Sequence, residues 1–268
     1  MKYGKLYGVG VGPGACDLMT LRAVRVLREV PVIAIPQRSR WDESVAWRIA
    51  AAPVGAVAGQ ERLFLTFPMT KNPQRIAPAW DAAFTQIGQR LEAGKSVAFI
   101  AEGDPLFYST FIYLHQQAPT RWPGIEIEIV PGVSSISAVA AVTSDPIADG
   151  QERVAIIPAS YGLEDLPDIL ERFDTVLLLK VSSVMPRVVA ALEKADLIDR
   201  AVYVSKATMA DQKIVADLRS IRNDRCDYFS MVVVSRKHRN GVLAGRGRAA
   251  VGAPRKADRD SALLTVER

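Results

Sequence analysis

Short apolar runs alternate along the chain with longer segments in which apolar residues recur every three or four positions. This alternation of strand-length and helix-length patterns is typical of α/β proteins, in which helices cover a β-sheet. The apolar runs predict strands at 5–11, 32–36, 62–67, 96–101, 125–130, 154–158, 176–181, 201–205 and 228–235. The longer pattern predicts helices at 20–30, 44–52, 77–93, from the 102–108 turn to about 117, 134–142, 166–171 and 184–194.

A segment with two prolines and a glycine, residues 118–124, interrupts this alternation near the middle of the chain. Such a composition is typical of a linker between domains. It separates a predicted N-terminal α/β domain, residues 1–117, from a predicted C-terminal α/β domain, residues 125–239. We therefore predict an α/β fold of two α/β/α domains, with the active-site cleft between them.

The net charge of +5 is concentrated at the end of the chain. Residues 236–268 carry nine Lys or Arg and three Asp or Glu, so the preceding 235 residues have a net charge of −1. The high isoelectric point therefore describes a basic tail, at 240–268. Such a tail is more typical of a solvated end than of a binding arm, and we expect no nucleic-acid partner.

Other features of the composition argue against membrane and metal-binding classes. No apolar run approaches the ~20 residues that cross a bilayer. The N-terminal residues do not resemble a secretory signal, so we expect a cytoplasmic protein with no membrane partner. The two cysteines, Cys16 and Cys226, and the two histidines show no metal-ligand spacing, and we expect no protein-bound metal.

The first predicted strand ends in a glycine-rich segment, Gly8–Gly14, of sequence GVGVGPG. From Gly10 onward it matches the dinucleotide fingerprint G-x-G-x-x-A, which gives the hypothesis of an NAD(P)-dependent oxidoreductase. Two features weigh against that hypothesis. Pro13 removes a backbone donor from the loop, and no acidic residue follows the second strand to hold a ribose hydroxyl.

Four segments, each at a predicted strand-to-helix turn, carry a family resemblance. They are GVGVGPG at 8–14, EGDPLFY at 102–108, PGVSS at 131–135, and Lys180-Val181 after the apolar run TVLLL. In this order, over residues 4–235, they resemble the tetrapyrrole (corrin and porphyrin) methylase family. The stretches at 67–71, 104–114 and 131–141, with Trp80, resemble the branch that methylates C-20 of precorrin-2 or cobalt-factor II in cobalamin biosynthesis.

The resemblance implies S-adenosylmethionine (SAM) as methyl donor, folded into the cleft between the domains, and a homodimer. By position it assigns cofactor contacts to Pro13, Gly103, Asp104, Ser134, Ser135, Lys180 and Ala207. Simpler structural roles remain open for some of them. Asp104 has the residue type and position of a helix cap, and so do the two serines.

The implied reaction also needs a proton acceptor, because a methylated ring carbon must lose its hydrogen. The family often has an acid directly after the glycine loop, where this chain has Ala15. We therefore take Asp104, Tyr108 and Asp17 as the catalytic candidates. The departure at Ala15 keeps open a further hypothesis, a tetrapyrrole-binding protein without catalysis. Four basic residues in predicted loops could meet the carboxylates of the substrate: Arg38, Arg40, Lys71 and Arg75.

Overall fold

The computed structural model describes residues 2–70, 72–161 and 163–236, apart from the side chains of Pro73 and Arg75. Its strands are β1 (Leu6–Gly10), β2 (Val32–Gln37), β3 (Glu61–Thr66), β4 (Val97–Ala101), β5 (Ile127–Val130), β6 (Val154–Pro158), β7 (Thr175–Leu179), β8 (Ala201–Ser205), β9 (Lys213–Val215) and β10 (Ser230–Ser235). Its α-helices are α1 (Leu21–Glu29), α2 (Val45–Val54), α3 (Pro73–Glu92), α4 (Phe111–Arg121), α5 (Ser135–Thr143), α6 (Leu166–Arg172) and α7 (Met185–Lys194). The predicted tail at 240–268 and the candidate Lys71 lie outside the described residues.

Strands β1 to β5 form a parallel sheet in the order β3-β2-β4-β1-β5. β4 lies at its centre with every residue buried, which accounts for the uninterrupted apolar sequence VAFIA. Because all five strands run in the same direction, the loops that follow them emerge at one edge of the sheet.

Helices cover both faces of this first sheet. Phe84 of α3 and Phe111 of α4 pack against one face, together with Phe99 of β4. Leu27 of α1 and Ile49 of α2 pack against the other face. The predicted α/β/α layering of the first half is therefore confirmed.

The remaining strands form a mixed sheet in the order β6-β7-β10-β8-β9. β6 and β7 are parallel, whereas β10 runs antiparallel to β7 and to β8. Helices α6 and α7 cover one face, and α5 covers the other through Ala138 and Val139. Because β10 is reversed, the residues before it lie at the same edge as the residues that follow β7 and β8.

The chain passes from the first sheet to the second later than the sequence predicts. Helix α4 occupies most of the predicted linker at 118–124, and Pro119 lies in its last turn rather than in a loop. The strand that follows, β5, is hydrogen-bonded to β1 in the first sheet. The crossing therefore comes after β5, and the predicted ranges 1–117 and 125–239 do not coincide with the two sheets. Both sheets belong to one compact unit that ends at Arg236.

Most predicted elements are found within a few residues of their expected bounds. Thr20 caps α1 through a hydrogen bond that its Oγ1 accepts from the Ala23 N–H. Gly94, with φ +74°, follows the C-terminus of α3, as its sequence position predicted. The edge strand β9 is an element that the pattern missed. No helix in the described part of the chain combines the length and apolarity needed to span a membrane.

Candidate active site

A cleft with a volume of about 290 Å³ lies between the two sheets. The first sheet contributes residues that follow β1, β2 and β4. The second contributes residues that follow β7 and β8 and residues that precede β10. In α/β proteins ligands bind outside the carboxyl ends of strands, where loops diverge and backbone groups are free. Both sheets present that edge to one site, in agreement with the predicted position.

Three loops of the first sheet contact one another through glycines beside this cleft. A Cβ on Gly10 would lie 2.5 Å from the Gly103 carbonyl oxygen and 2.6 Å from the Gly132 nitrogen. A Cβ on Gly132 would lie 2.1 Å from the same carbonyl oxygen. Both distances are far below van der Waals contact, so these positions require glycine for backbone-to-backbone packing.

Gly12 and Gly103 join two of these loops by a pair of hydrogen bonds. The Gly103 N–H donates to the Gly12 carbonyl oxygen over 2.7 Å, and the Gly12 N–H donates back over 3.3 Å. Both residues are left-handed, with φ of +83° and +65° respectively. A Cβ on Gly103 would meet no heavy atom of another loop closer than 3.8 Å. A ligand can therefore approach the Gly103 backbone from the cleft.

These contacts explain why glycines occupy the positions of the dinucleotide fingerprint, since packing between the loops requires them without any bound dinucleotide. The space beside Gly10 is filled by the backbones of two neighbouring loops. At Gly12, the glycine that the fingerprint places against the pyrophosphate, a Cβ would lie 3.1 Å from the Leu18 carbonyl oxygen, so backbone occupies that side as well. A 3-10 helix, Cys16–Leu18, separates the glycine loop from α1. The fingerprint needs a helix N-terminus directly after the loop. The loop geometry thus argues against the oxidoreductase hypothesis.

The Asp104 carboxylate accepts backbone hydrogen bonds through both of its oxygens. Oδ1 accepts from the Leu106 N–H over 2.9 Å, and Oδ2 accepts from the Gly132 N–H over 3.1 Å. The first bond closes an Asx-type turn, and the second fastens that turn to the loop after β5. Asp104 is therefore a turn residue rather than the N-cap of α4, which begins only at Phe111.

The structure brings together eight of the nine residues that the sequence assigned to the site. The eight that line the cleft are Pro13, Gly103, Asp104, Tyr108, Ser134, Ser135, Lys180 and Ala207. Asp17 is the exception. It lies in the 3-10 helix Cys16–Leu18 with an exposed side chain and is not among the residues that line the cleft. The short helix places this residue on the surface beyond the glycine loop.

Two lysines at strand ends of the second sheet have left-handed backbones. The φ of Lys180 is +56° and that of Lys206 is +50°, and both residues line the cleft. Lys206 Nζ forms ion pairs of 2.6 Å with Asp211 and 2.8 Å with Asp227. Lys180 Nζ instead lies 5.4 Å from the centroid of the Tyr108 ring. Within the described residues, no carboxylate lies within 4 Å of the Lys180 amine, so its charge can serve an anionic ligand.

The N-terminus of α5 also faces the cleft. Ser134 caps it as predicted, with Oγ accepting from the Ser137 N–H over 3.5 Å, and Ser135 is the first helical residue. Small residues follow, and Ala138 is buried against the second sheet. The capping role and a ligand contact are compatible, because the backbone N–H groups of a first helical turn have no partners within the helix.

The glycine loop touches the second sheet directly. The Ala15 N–H donates to Thr208 Oγ1 over 3.0 Å. A Cβ on Gly14 would lie 2.8 Å from the Ala207 carbonyl oxygen. The two halves are thus in contact at one end of the site, and this contact fixes Pro13 and Ala207 near each other.

Three further cleft residues received no site role, or only a general one, from the sequence: Arg38, Glu102 and Tyr228. The Arg38 guanidinium lies 4.6 Å from the centroid of the Tyr228 ring. Burial raises the pKa of Glu102, while backbone N–H groups and the Arg38 charge act in the opposite direction. Burial also raises the pKa of Tyr228. The position of Glu102 directly after a fully apolar strand was a usable signal, but Tyr228 offered none.

The amino-acid sequence matches known proteins over most of its length. Residues 5–221 match the family model for Tetrapyrrole (Corrin/Porphyrin) Methylases. A probable cobalt-precorrin-2 C(20)-methyltransferase from Methanocaldococcus jannaschii is 35% identical over 87% of this chain and 96% of its own. The cobalt-precorrin-2 C(20)-methyltransferase of Salmonella typhimurium is 32% identical, with 87% and 97% covered. A precorrin-2 C(20)-methyltransferase from a Sinorhizobium species is 28% identical, with 86% and 95% covered.

Solved structures agree with this assignment at the level of the fold. A cobalt precorrin-4 methyltransferase superimposes with a TM-score of 0.66 and 25% identity, over 86% of this chain and 94% of the other. A uroporphyrin-III C-methyl transferase from Thermus thermophilus, complexed with S-adenyl homocysteine, gives a TM-score of 0.62 at 20% identity, with 87% and 97% covered. Sequence and fold lead to the same conclusion: the chain belongs to the tetrapyrrole (corrin/porphyrin) methylase family.

Proposed function

We propose that this protein transfers the methyl group of SAM to C-20 of precorrin-2, or of its cobalt-bearing counterpart cobalt-factor II, in cobalamin biosynthesis. One observation carries the proposal: residues far apart in sequence, which the family resemblance assigned to SAM, line a single cleft. The relatives that share about a third of the sequence over nearly their whole length are named for methylation at C-20.

The residues of the cleft fit SAM in their chemistry. Beside the open backbone at Gly103, the cleft has an apolar wall that includes Leu179, Val204 and Met231. Such a wall suits a flat adenine ring, and the Lys180 ammonium suits a carboxylate. Gly103, Ser134, Ser135, Lys180 and Ala207 are the residues that would hold the cofactor, with Pro13 and Asp104 shaping the loops around it.

The contribution of the protein to this chemistry is mainly positioning. When bound, SAM supplies an electrophilic methyl group on a sulfonium, and its transfer to carbon needs no covalent step on the protein. The cleft residues hold the two reactants close together and in line, which can account for several orders of magnitude in rate. Apolar side chains such as Phe67 and Phe99 in the lining exclude water from the reacting groups.

A tetrapyrrole with several carboxylates needs cationic groups around its binding site. Arg38 lines the cleft, and its stacking on Tyr228 orients the guanidinium. Arg40 instead stacks on the exposed Trp41, 4.5 Å from the ring centroid, and is not among the cleft residues. Of Arg38 and Arg40, Arg38 is therefore the one we retain, whereas Lys71 and the Arg75 side chain lie outside the described part of the chain and stay predictions. We further propose a cytoplasmic homodimer, as the resemblance implies; sedimentation of the purified protein tests the dimer.

The test is to incubate the purified protein with methyl-labelled SAM and either precorrin-2 or cobalt-factor II. We expect a tetrapyrrole product heavier by one methyl group, formed with at least one of these substrates. Comparison of kcat/KM for the two substrates then decides which one the enzyme uses. An unlabelled ring with both substrates, despite bound SAM, would contradict methyl transfer and favour a tetrapyrrole-binding protein without catalysis.

The oxidoreductase hypothesis is tested in the same preparation. Calorimetry should show binding of SAM and no binding of NADH or NADPH, because a 3-10 helix stands where the fingerprint needs a helix N-terminus and the Leu18 carbonyl oxygen lies close to Gly12. Binding of a nicotinamide dinucleotide in the absence of SAM binding would overturn the proposed function.

A further inference from the structure

Three carboxylates line the cleft in the described part of the chain: Glu43, Glu102 and Asp104. One of them is a natural candidate for the proton acceptor, because electrophilic methylation of a ring carbon leaves a hydrogen on that carbon. A carboxylate that serves as the base needs an oxygen within hydrogen-bond reach of the proton that it removes. The three differ in how they are held by the protein and in how exposed they are.

Asp104 and Glu43 are poorly suited to the role. Both oxygens of Asp104 accept backbone hydrogen bonds, from Leu106 and Gly132, which hold the carboxylate against two loops. The Glu43 side chain is 69% exposed and lies 3.8 Å from Arg48. An exposed carboxylate beside an arginine is hydrated.

Glu102 has a different environment. It is partly buried, it directly follows the fully buried strand β4, and no cation lies within 4 Å of its carboxylate in the described part of the chain. Burial raises its pKa, and the opposing effects of its own backbone N–H, of the Ala46 backbone N–H and of Arg38 are smaller. A carboxylate with a raised pKa binds a proton more readily at the pH of the reaction.

We propose that the Glu102 carboxylate is the group that accepts the proton lost from C-20 after methyl transfer. The inference rests on the proposed function. The S–CH3 bond breaks with its electron pair going to sulfur, and a C–CH3 bond forms from a ring π-electron pair. The C-20–H bond then breaks, its electrons restore the ring π-system, and its proton goes to a Glu102 oxygen. No oxidant, reductant or further reactant is needed.

Other charged or titratable groups face the same space. Arg38 lies in the loop after β2, Tyr108 lies in the loop after β4, Tyr228 lies before β10, and Lys180 and Lys206 follow strands of the second sheet. Charged lysine and arginine side chains offer donors and no acceptor. Tyr108 is 46% exposed, with its ring 5.4 Å from the Lys180 amine, and its catalytic role stays a prediction. Burial raises the pKa of Tyr228 above its ordinary value near 10, so its phenol keeps its proton at neutral pH. Tyr228 can therefore orient the ring but is a poor acceptor.

The test compares Glu102→Gln with wild type, with Glu29→Gln as the matched control on an exposed glutamate of α1 that does not line the cleft. For Glu102→Gln we expect kcat to fall by about 100-fold or more, with the KM for SAM changed less than threefold. With substrate deuterated at C-20, the variant should show a primary isotope effect that wild type lacks, because deprotonation becomes rate-limiting. Glu29→Gln should match wild type in all three measurements.

The pH profile and the melting temperature separate catalysis from folding. In wild type kcat should fall with decreasing pH as Glu102 becomes protonated, and Glu102→Gln should lose this acid limb. A folded-state pKa above the unfolded-state pKa means that ionised Glu102 lowers stability at neutral pH, and this cost vanishes as the pH falls. Glu102→Gln should therefore melt at the same or a higher temperature than wild type at pH 7.5.

Three results would overturn the proposal. One is a Glu102→Gln enzyme with kcat within threefold of wild type. Another is a pH profile of Glu102→Gln in which kcat still falls at low pH as in wild type. The third is loss of that fall in Tyr228→Phe but not in Glu102→Gln, which would assign the titrating group to Tyr228. Failure of the proposed function itself looks different, because wild-type protein would then give no C-20-methylated product at any pH.

Discussion

The two halves of the molecule build their sides of the cleft in opposite ways. On the first sheet, Gly12 and Gly103 make the left-handed turns that join the loops beside the site, and Tyr108, at φ +51°, is a left-handed non-glycine residue in the cleft lining. On the second sheet the left-handed residues near the site are Lys180, Lys206 and Thr208, with φ between +50° and +69°. The glycine turns pack backbone against backbone and leave the cleft open. The lysine turns bring long cationic side chains to it, at a cost of ~1 kcal/mol of backbone strain each.

This difference indicates where the sequence is constrained by packing and where by binding. A glycine that touches neighbouring backbone is required for the fold, whereas a strained lysine that lines a cleft is explained by its side chain. Substitutions on the first side should therefore affect stability most, and substitutions on the second should affect ligand binding most.

The largest effect is expected for Gly132→Ala. Its Cβ would lie 2.1 Å from the Gly103 carbonyl oxygen and 2.9 Å from Gly10 Cα, and both are backbone atoms that cannot rotate away. We expect the free energy of unfolding to fall by about 3 kcal/mol or more, measured by urea denaturation. Gly59→Ala is the control, since Gly59 is left-handed at φ +75° with no atom within 4 Å of a Cβ. It should cost only ~1 kcal/mol, and equal losses would contradict the packing argument.

An intermediate effect is expected for Asp104→Ala. The change removes both acceptors of the Leu106 and Gly132 N–H groups, and we expect unfolding free energy to fall by about 1–3 kcal/mol. SAM affinity should fall as well, because the turn that shapes the cleft loosens. Thr20→Ala, which removes one capping bond to Ala23 outside the cleft, should cost ~1 kcal/mol and leave SAM affinity unchanged. An Asp104→Ala protein with the wild-type free energy of unfolding would contradict this account, because the turn would then be stable without the carboxylate.

The smallest change in stability, but a clear change in binding, is expected for Lys180→Gly. Glycine removes the strain at φ +56° and increases the freedom of the unfolded chain, so the two effects nearly cancel, within ~1 kcal/mol. SAM affinity, measured by calorimetry, should fall severalfold because the cleft loses a cation. Ser144→Gly replaces another left-handed residue, at φ +56°, that does not line the cleft. Ser144→Gly should match Lys180→Gly in free energy of unfolding and bind SAM as wild type does. A loss of SAM affinity in Ser144→Gly equal to that in Lys180→Gly would contradict the account.

The sequence predicted the alternation of elements and the gathering of the motif residues because both depend on local signals. Apolar runs such as VAFIA mark a buried strand, and glycine or serine at a strand end marks a turn. It failed where the result depends on pairing between distant segments. Nothing in residues 118–124 indicates that the next strand, β5, pairs with β1 in the first sheet. A helix that carries a proline in its last turn has the same local composition as a linker, so the sequence alone does not separate the two.

The catalytic candidates could not be ranked from the sequence for a similar reason. Asp17 and Glu102 are both carboxylates close to a glycine turn in the sequence, yet one is exposed on a 3-10 helix and the other is a partly buried residue of the cleft lining. The difference comes from what packs around each, including Ala46 and Tyr228 from other elements. Asp104, the carboxylate most prominent in the motif, is occupied by backbone donors that only the folded chain brings near.

The central claim is methyl transfer to C-20, and the most direct measurement is a nuclear magnetic resonance spectrum of the product made with SAM carrying a ¹³C-methyl group. The account predicts one enriched methyl signal, coupled to C-20, and loss of the C-20 proton. An enriched methyl group on any other ring atom, or no enriched product from either substrate, would contradict it.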